Sequence, residues 1–182
     1  RNVPSIRSKS RIARCLPDLV KASKRTIKLY SSGLMEIAVD VFKQRQNQNL
    51  KFENFLEVHA YEKFLIGIIN TVALLAPIDP DQVSKHGEFI IIFLSRCLES
   101  ESNRNIILSV LKLLFVLLSA PASSLLYRAK APLILSSVTS VLAKTDSLNE
   151  RLALLKVIGA IGVLELHQKP TPLTCVTPPN ID

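Results

Sequence analysis

Two stretches of the chain are versions of each other, 44 residues apart. Residues 108–117 read LSVLKLLFVL and residues 152–161 read LALLKVIGAI, with Lys112 and Lys156 interrupting the apolar run at the same place. A weaker copy lies a further 44 residues upstream, where Ala76 and Pro77 end an apolar run as Ala120 and Pro121 end the next. Apolar runs patterned like helices and closed by proline are helix signals. A chain that repeats one helical unit cannot bury each apolar face alone, so its core must run on from unit to unit.

A period in the low forties is that of HEAT and armadillo repeats, about 40–47 residues per unit. The expected fold class is therefore all-α, a HEAT/armadillo-type helical-hairpin superhelix (an α–α solenoid). The 182 residues have room for about four such units. Composition agrees: 48% of residues are hydrophobic, only 5% are aromatic, and there is no Trp. That mixture suits helix-on-helix packing better than a β-sandwich, which favours Thr, Tyr and Trp.

The pattern predicts helices over 17–32, 34–46, 52–76, 86–99, 102–119, 132–144 and 148–166, with a short turn opened by Asp79 and a short segment at 125–128. Pro17 suits a first helical position, Asp18 suits the positive end of the helix dipole, and Gly33 suits a stop. Ser102 is the expected cap of the helix at 102–119. Ser147 and Glu150 have the spacing of a capping box, in which each side chain bonds the other residue's amide. Short turns make 86–99 with 102–119, and 132–144 with 148–166, two successive antiparallel hairpins. Gly159 and Gly162 each cost roughly 0.8–1.0 kcal/mol in a helix relative to Ala. Close approach of a neighbouring helix is the expected reason for them. The domain organisation read this way is a basic N-terminal segment at 1–16, helical repeats at 17–166 and a Pro-rich extended tail at 167–182.

The net charge of +8 is unevenly placed. Residues 1–51 hold 12 Lys and Arg against 3 Asp and Glu, a balance of +9, and the remaining residues balance to −1. The basic end is either a solvated face or a contact for an acidic partner through Arg7, Lys9, Arg11 and Arg14. No aromatic residue interleaves with these four, so base stacking lacks support and nucleic acid is not the expected partner. Ser5, Ser8 and Ser10 lie beside basic residues and are either ordinary polar residues or targets of a basophilic kinase.

Three dispersed cysteines, Cys15, Cys97 and Cys175, with no CxxC pair, fit a reduced intracellular chain. The longest apolar run, 106–120, is 15 residues with Lys112 inside it, short of the roughly 20 that span a membrane, and reads as a buried helix. The basic, polar start without an initiator Met and the Pro-rich end suggest a fragment of a much larger chain.

Nothing in the sequence assembles into chemistry. His59, His86 and His167 fall on different segments without metal-ligand spacing, and no cofactor is expected. Cys97 with His86 would need a third orienting group, and a small core cysteine is the simpler reading. Gly159 and Gly162 lie inside a helix, whereas a phosphate cradle needs its glycines before the helix start.

One stretch carries a resemblance. Residues 157–169 read VIGAIGVLELHQK. They resemble the run V-[IL]-G-x-[IL]-G-A-L-D-P-Y-K-H-K that closes a HEAT segment in TOR-type Ser/Thr protein kinases. Gly159, Gly162 and Leu164 fall in place, and Glu165 stands for the family's Asp. Upstream, Tyr127 and Arg128 before Pro132, then Leu142, Lys144 and Thr145, and then Arg151 match further family positions at similar spacing. Leu166, His167 and Gln168 depart from the pattern, and the resemblance covers only about 125–170. It implies a scaffold segment of a large phosphatidylinositol-kinase-related protein kinase, whose catalytic domain lies far downstream. It further implies accessory subunits or self-association, growth and nutrient signalling, and a cytoplasmic or endomembrane setting. Free-standing HEAT/armadillo adaptor and, less favoured, nucleic-acid-binding helical protein are the other readings.

Overall fold

The computed structural model describes residues 5–23, 26–47, 54–120, 127 and 129–166. Among the described residues the fold is all-helical. Helix α1 runs Ile6–Ala22, a 3₁₀ turn Ile27–Tyr30, α2 Ser31–Asn47, α3 Phe55–Leu75 and α4 Pro80–Lys85. They are followed by α5 Gly87–Ser100, α6 Arg104–Leu118, α7 Ala131–Lys144 and α8 Leu148–Leu166. The expected tail at 167–182 and most of the expected segment at 125–128 lie outside the described residues.

The first helix differs from expectation. Pro17 does not start it; Ser5 does, accepting a hydrogen bond from the Ser8 amide at 3.3 Å, so residues 6–16 are helical and Pro17 is internal. Proline inside a helix removes one hydrogen bond and costs about 3 kcal/mol. Burial of Ala13 and Val20, with Ile6 and Leu16 packed at their edge, offsets this along the length of α3. The expected helix at 17–32 stops at Ala22, and Gly33 sits inside α2 instead of ending a helix. Ser31 explains the new start: its buried hydroxyl, with one proton to share, lies within hydrogen-bond reach of the Lys28 carbonyl at 2.8 Å and of the Asp79 carboxylate, pinning the first turn of α2 to the entry of α4.

Later boundaries follow the local signals more closely. Asn54 caps α3 by accepting from the Glu57 amide at 3.0 Å, and Pro80 occupies the first turn of α4. Asn103, not Ser102, caps α6, accepting from the Asn105 amide at 3.0 Å. Just ahead of it, the Glu101 carboxylate accepts from the Ser102 and Asn103 N–H groups at 3.0 and 3.1 Å. Half of the expected capping box forms: Ser147 Oγ accepts from the Glu150 amide at 3.5 Å. The Glu150 carboxylate does not return to the Ser147 amide; it is buried, accepts from Thr145 Oγ1 and lies 3.5 Å from Arg104 Nε.

The helices pack in two rows. One row is α2, α5 and α7; the other is α3, α6 and α8, and α1 joins the second row through α3. Consecutive partners α5 with α6, and α7 with α8, pack as the expected hairpins. Phe42 of α2 stacks on Phe93 of α5 with ring centroids 4.2 Å apart, which ties neighbouring members of the first row. A single apolar core runs the length of both rows, from Ala13 through Leu65, Ile90 and Leu114 to Ile161.

The tightest contact between helices falls at a glycine that the sequence did not single out. A Cβ on Gly67 of α3 would lie 2.4 Å from the Ala13 carbonyl oxygen of α1. Ala13 is four residues before Pro17, so its carbonyl is the one that loses its helical donor. The missing side chain at 67 lets the α3 backbone close over that carbonyl. Gly159 and Gly162, expected to mark such an approach, have no described atom within 4 Å of the place a Cβ would take. Among the described residues the predicted close contact there is absent.

One described helix, α3, is long and apolar enough to cross a membrane by length and composition. Half of its apolar window is buried inside the fold, where α1, α2 and α6 pack around it.

Candidate interaction surface

The described side chains with chemical potential are dispersed or quenched. His59 faces Glu62 on its own helix at 3.5 Å, and His86 stands at the entry of α5. Cys97 is eleven residues beyond His86 on the same helix, about 16 Å along its axis at 1.5 Å per residue. The Cys97 thiol is pushed up to about 12, chiefly by burial, with Arg45 lowering it and Glu101 raising it. Such a thiol stays protonated and unreactive near neutrality. Beside it, burial likewise pushes Tyr61 up to about 12 against the lowering effect of Arg45. Arg45 lies 5.7 Å over the Tyr61 ring and 3.2 Å from the Glu101 carboxylate, so the cluster is a structural tie between α2, α3 and the end of α5. Among the described residues no three His, Cys, Asp or Glu side chains gather to hold a metal ion.

The surface offers more. Arg7, Arg11 and Arg14 follow one another at helical spacing along the exposed side of α1. Lys9 separates from them: it is half-buried and turns to the opposite flank of the helix. Arg14 shares a shallow recess with Lys63 and Asn70 of α3, next to Pro17 and Gly67. The four basic residues singled out from sequence thus form a ridge of three arginines and one lysine set apart.

On the Lys9 flank, α1, α2 and α3 enclose an open groove of about 650 Å³. Ile6, Ile12 and Leu16 of α1 form one wall, Leu34, Ile37 and Val41 of α2 the other, and Tyr61, Phe64 and Ile68 of α3 the floor. Lys9, Asp40, Gln44 and Glu57 supply the polar rim. Ile12 and Ile37 are 60% and 54% exposed, although both are large and apolar.

The far end of the molecule carries an apolar face on α8. Leu148, Leu152, Leu155 and Val163 are at least half exposed, and Gly159 lies on the same side. The 44-residue repeat shows why this face is unusual. On α6 the stripe Ile107, Leu111, Leu114 and Leu118 is buried, Leu111 at 1% exposure. The same stripe 44 residues later is Arg151, Leu155, Ile158 and Gly162, exposed or half-exposed, with Leu155 at 54%. On α6 the hairpin that follows covers the stripe; on α8 no described helix does. Gly159 and Gly162 belong to this outward region, while the side chains of Leu164 and Glu165 lie outside the described residues. No family model, curated protein or solved structure matches the chain.

Proposed function

We propose that the chain is a HEAT/armadillo-type helical-hairpin array acting as a scaffold segment, within a TOR-like Ser/Thr protein kinase that serves growth and nutrient signalling from the cytoplasm or endomembranes. The observation that carries the scaffold reading is the stripe that is covered on α6 and open on α8. Arg151 and Gly162 replace Ile107 and Leu118 of the interior unit, yet Leu148, Leu152, Leu155 and Val163 leave large apolar side chains open on the outer helix, as suits a unit joined by more protein. The segment contributes shape and contacts, and catalysis belongs to a domain elsewhere. Accessory subunits or self-association through the helical surface are the expected partners.

The kinase assignment rests on Gly159, Gly162, Leu164 and Glu165 within the run at 157–169, and on the upstream matches from Tyr127 to Arg151. Sequencing the complementary DNA beyond the codon for Asp182 tests it. A phosphatidylinositol-kinase-type catalytic domain downstream supports the reading. A stop codon within a few residues sinks it and leaves the free-standing adaptor.

A further inference from the structure

We infer that the groove between α1, α2 and α3 is the seat of an amphipathic helix of about three turns supplied by a partner protein. The inference rests on the two-row array proposed above, and starts from an asymmetry in it. In the second row α3, α6 and α8 each have a first-row companion: α2, α5 and α7. Helix α1 belongs to the second row and has none among the described residues. The companion's place is the groove. Phe42 on one flank of α2 meets α5, and the groove opens along the stripe Leu34, Ile37, Val41 and Gln44 on the other flank. A helix laid there continues the first row past α2 and lies alongside α1.

Dimensions and chemistry fit that occupant. The walls extend from Ile6 to Leu16 and from Leu34 to Gln44, ten helical steps each, or about 15 Å at 1.5 Å per residue. Three turns of helix have that length. The apolar walls and floor take side chains spaced i, i+3 or i+4, i+7. Across the rim, Lys9 faces from α1 and Asp40 from α2. Neither Lys9 nor Asp40 has an ion pair among the described residues. The occupant therefore presents a carboxylate on the side that meets α1 and a cation on the side that meets α2. Charges at the edge of an apolar groove set orientation and partner choice more than affinity. The groove volume also accommodates a small apolar ligand, but such a ligand leaves Lys9 and Asp40 unanswered.

The test uses the 182-residue chain as bait for a display library of single helices four turns long, with the outward face randomised. Enriched helices are expected to carry an apolar i, i+3/i+4, i+7 stripe flanked by an acidic residue. Binding of a labelled enriched peptide, read by fluorescence anisotropy, should weaken at least about tenfold in Ile37→Glu. It should weaken in Lys9→Glu and recover when the acid of the peptide is changed to Lys, while Arg11→Glu leaves it unchanged. Ile37 is already exposed, so the variant is expected to fold, and a thermal melt checks it. The inference is overturned if no helix is enriched, or if enriched helices bind Ile37→Glu as well as the parent chain. It is also overturned if sedimentation shows a dimer that Ile37→Glu dissolves, which makes a second copy the occupant. A chain that melts cooperatively yet binds no helix sinks this inference alone; a chain without a cooperative helical melt sinks the array beneath it.

Discussion

Gly67→Ala adds one methyl group at the closest point between α1 and α3, where the new Cβ lies 2.4 Å from the Ala13 carbonyl oxygen, 2.7 Å from its carbonyl carbon and 3.1 Å from its Cβ. Ordinary contact begins near 3.4 Å, so the carbonyl and the methyl must separate by about 1 Å. The obstructing atoms are helix backbone, which cannot rotate away as a side-chain tip would. Relief requires lifting α1 along an interface that includes Ala13, Val20, Leu65 and Ile68. A gap of 0.5–1 Å forfeits roughly a quarter to a half of each dispersion contact, and overpacking of this kind costs about 1–3 kcal/mol. Against this, Ala gains about 0.8–1.0 kcal/mol over Gly in a helix interior. The clash with backbone puts the cost at the upper end, for a net loss of about 2 kcal/mol. In a chain of this size that corresponds to a fall in melting temperature of about 4–8 °C. Urea unfolding followed by helical circular dichroism reads the loss independently. An unchanged or higher midpoint would refute the close approach of α1 to α3 and the part Pro17 has in it.

Gly159→Ala and Gly162→Ala are expected to act in the opposite direction, each gaining about 0.8–1.0 kcal/mol, because a Cβ at either position meets open space; thermal melts of the two variants check this. Cys97 and Tyr61 titrate near 12 when folded, against ordinary values of 9.0 and 10.0. A group whose folded value is raised holds its extra proton only in the native state, so its contribution is intact below pH 9 and is lost as pH climbs toward 12. Urea midpoints measured from pH 8 to pH 10.5 should fall in the upper part of that range, and a Cys97→Ala, Tyr61→Phe double variant should flatten the fall. Thr145→Val and Glu150→Ala remove the two ends of one buried hydrogen bond, so a double-mutant cycle should show them to be non-additive, each single change costing about 1–3 kcal/mol.

The helices from α3 onward were legible because their signals are local. Pro80, the apolar runs and the short polar breaks act within a few residues of the ends they define. Helix α1 was misread for the same reason: locally Pro17 is a good first residue, and only α3 makes it an interior one. The buried side of α1 includes Ser10 and Ala13, small residues that leave a faint apolar signal among the charges. Glycines show the limit most clearly. Gly67 and Gly159 both sit inside helices, and composition cannot say which faces a neighbour's backbone and which faces open space. The groove was invisible because it depends on three helices and on a companion that α1 lacks among the described residues. The 44-residue echo, by contrast, showed at once which positions of α6 and α8 to compare.

That comparison also supplies the most direct measurement. Leu111 and Leu155 are repeat equivalents, one buried at 1% exposure and the other open at 54%. If α8 is the uncovered end of the array, Leu111→Ala costs about 2–5 kcal/mol in urea unfolding. Leu155→Ala then stays within about 0.5 kcal/mol of the parent chain. Equal losses at the two positions would mean that the face on α8 is already covered, and would contradict the open-ended scaffold.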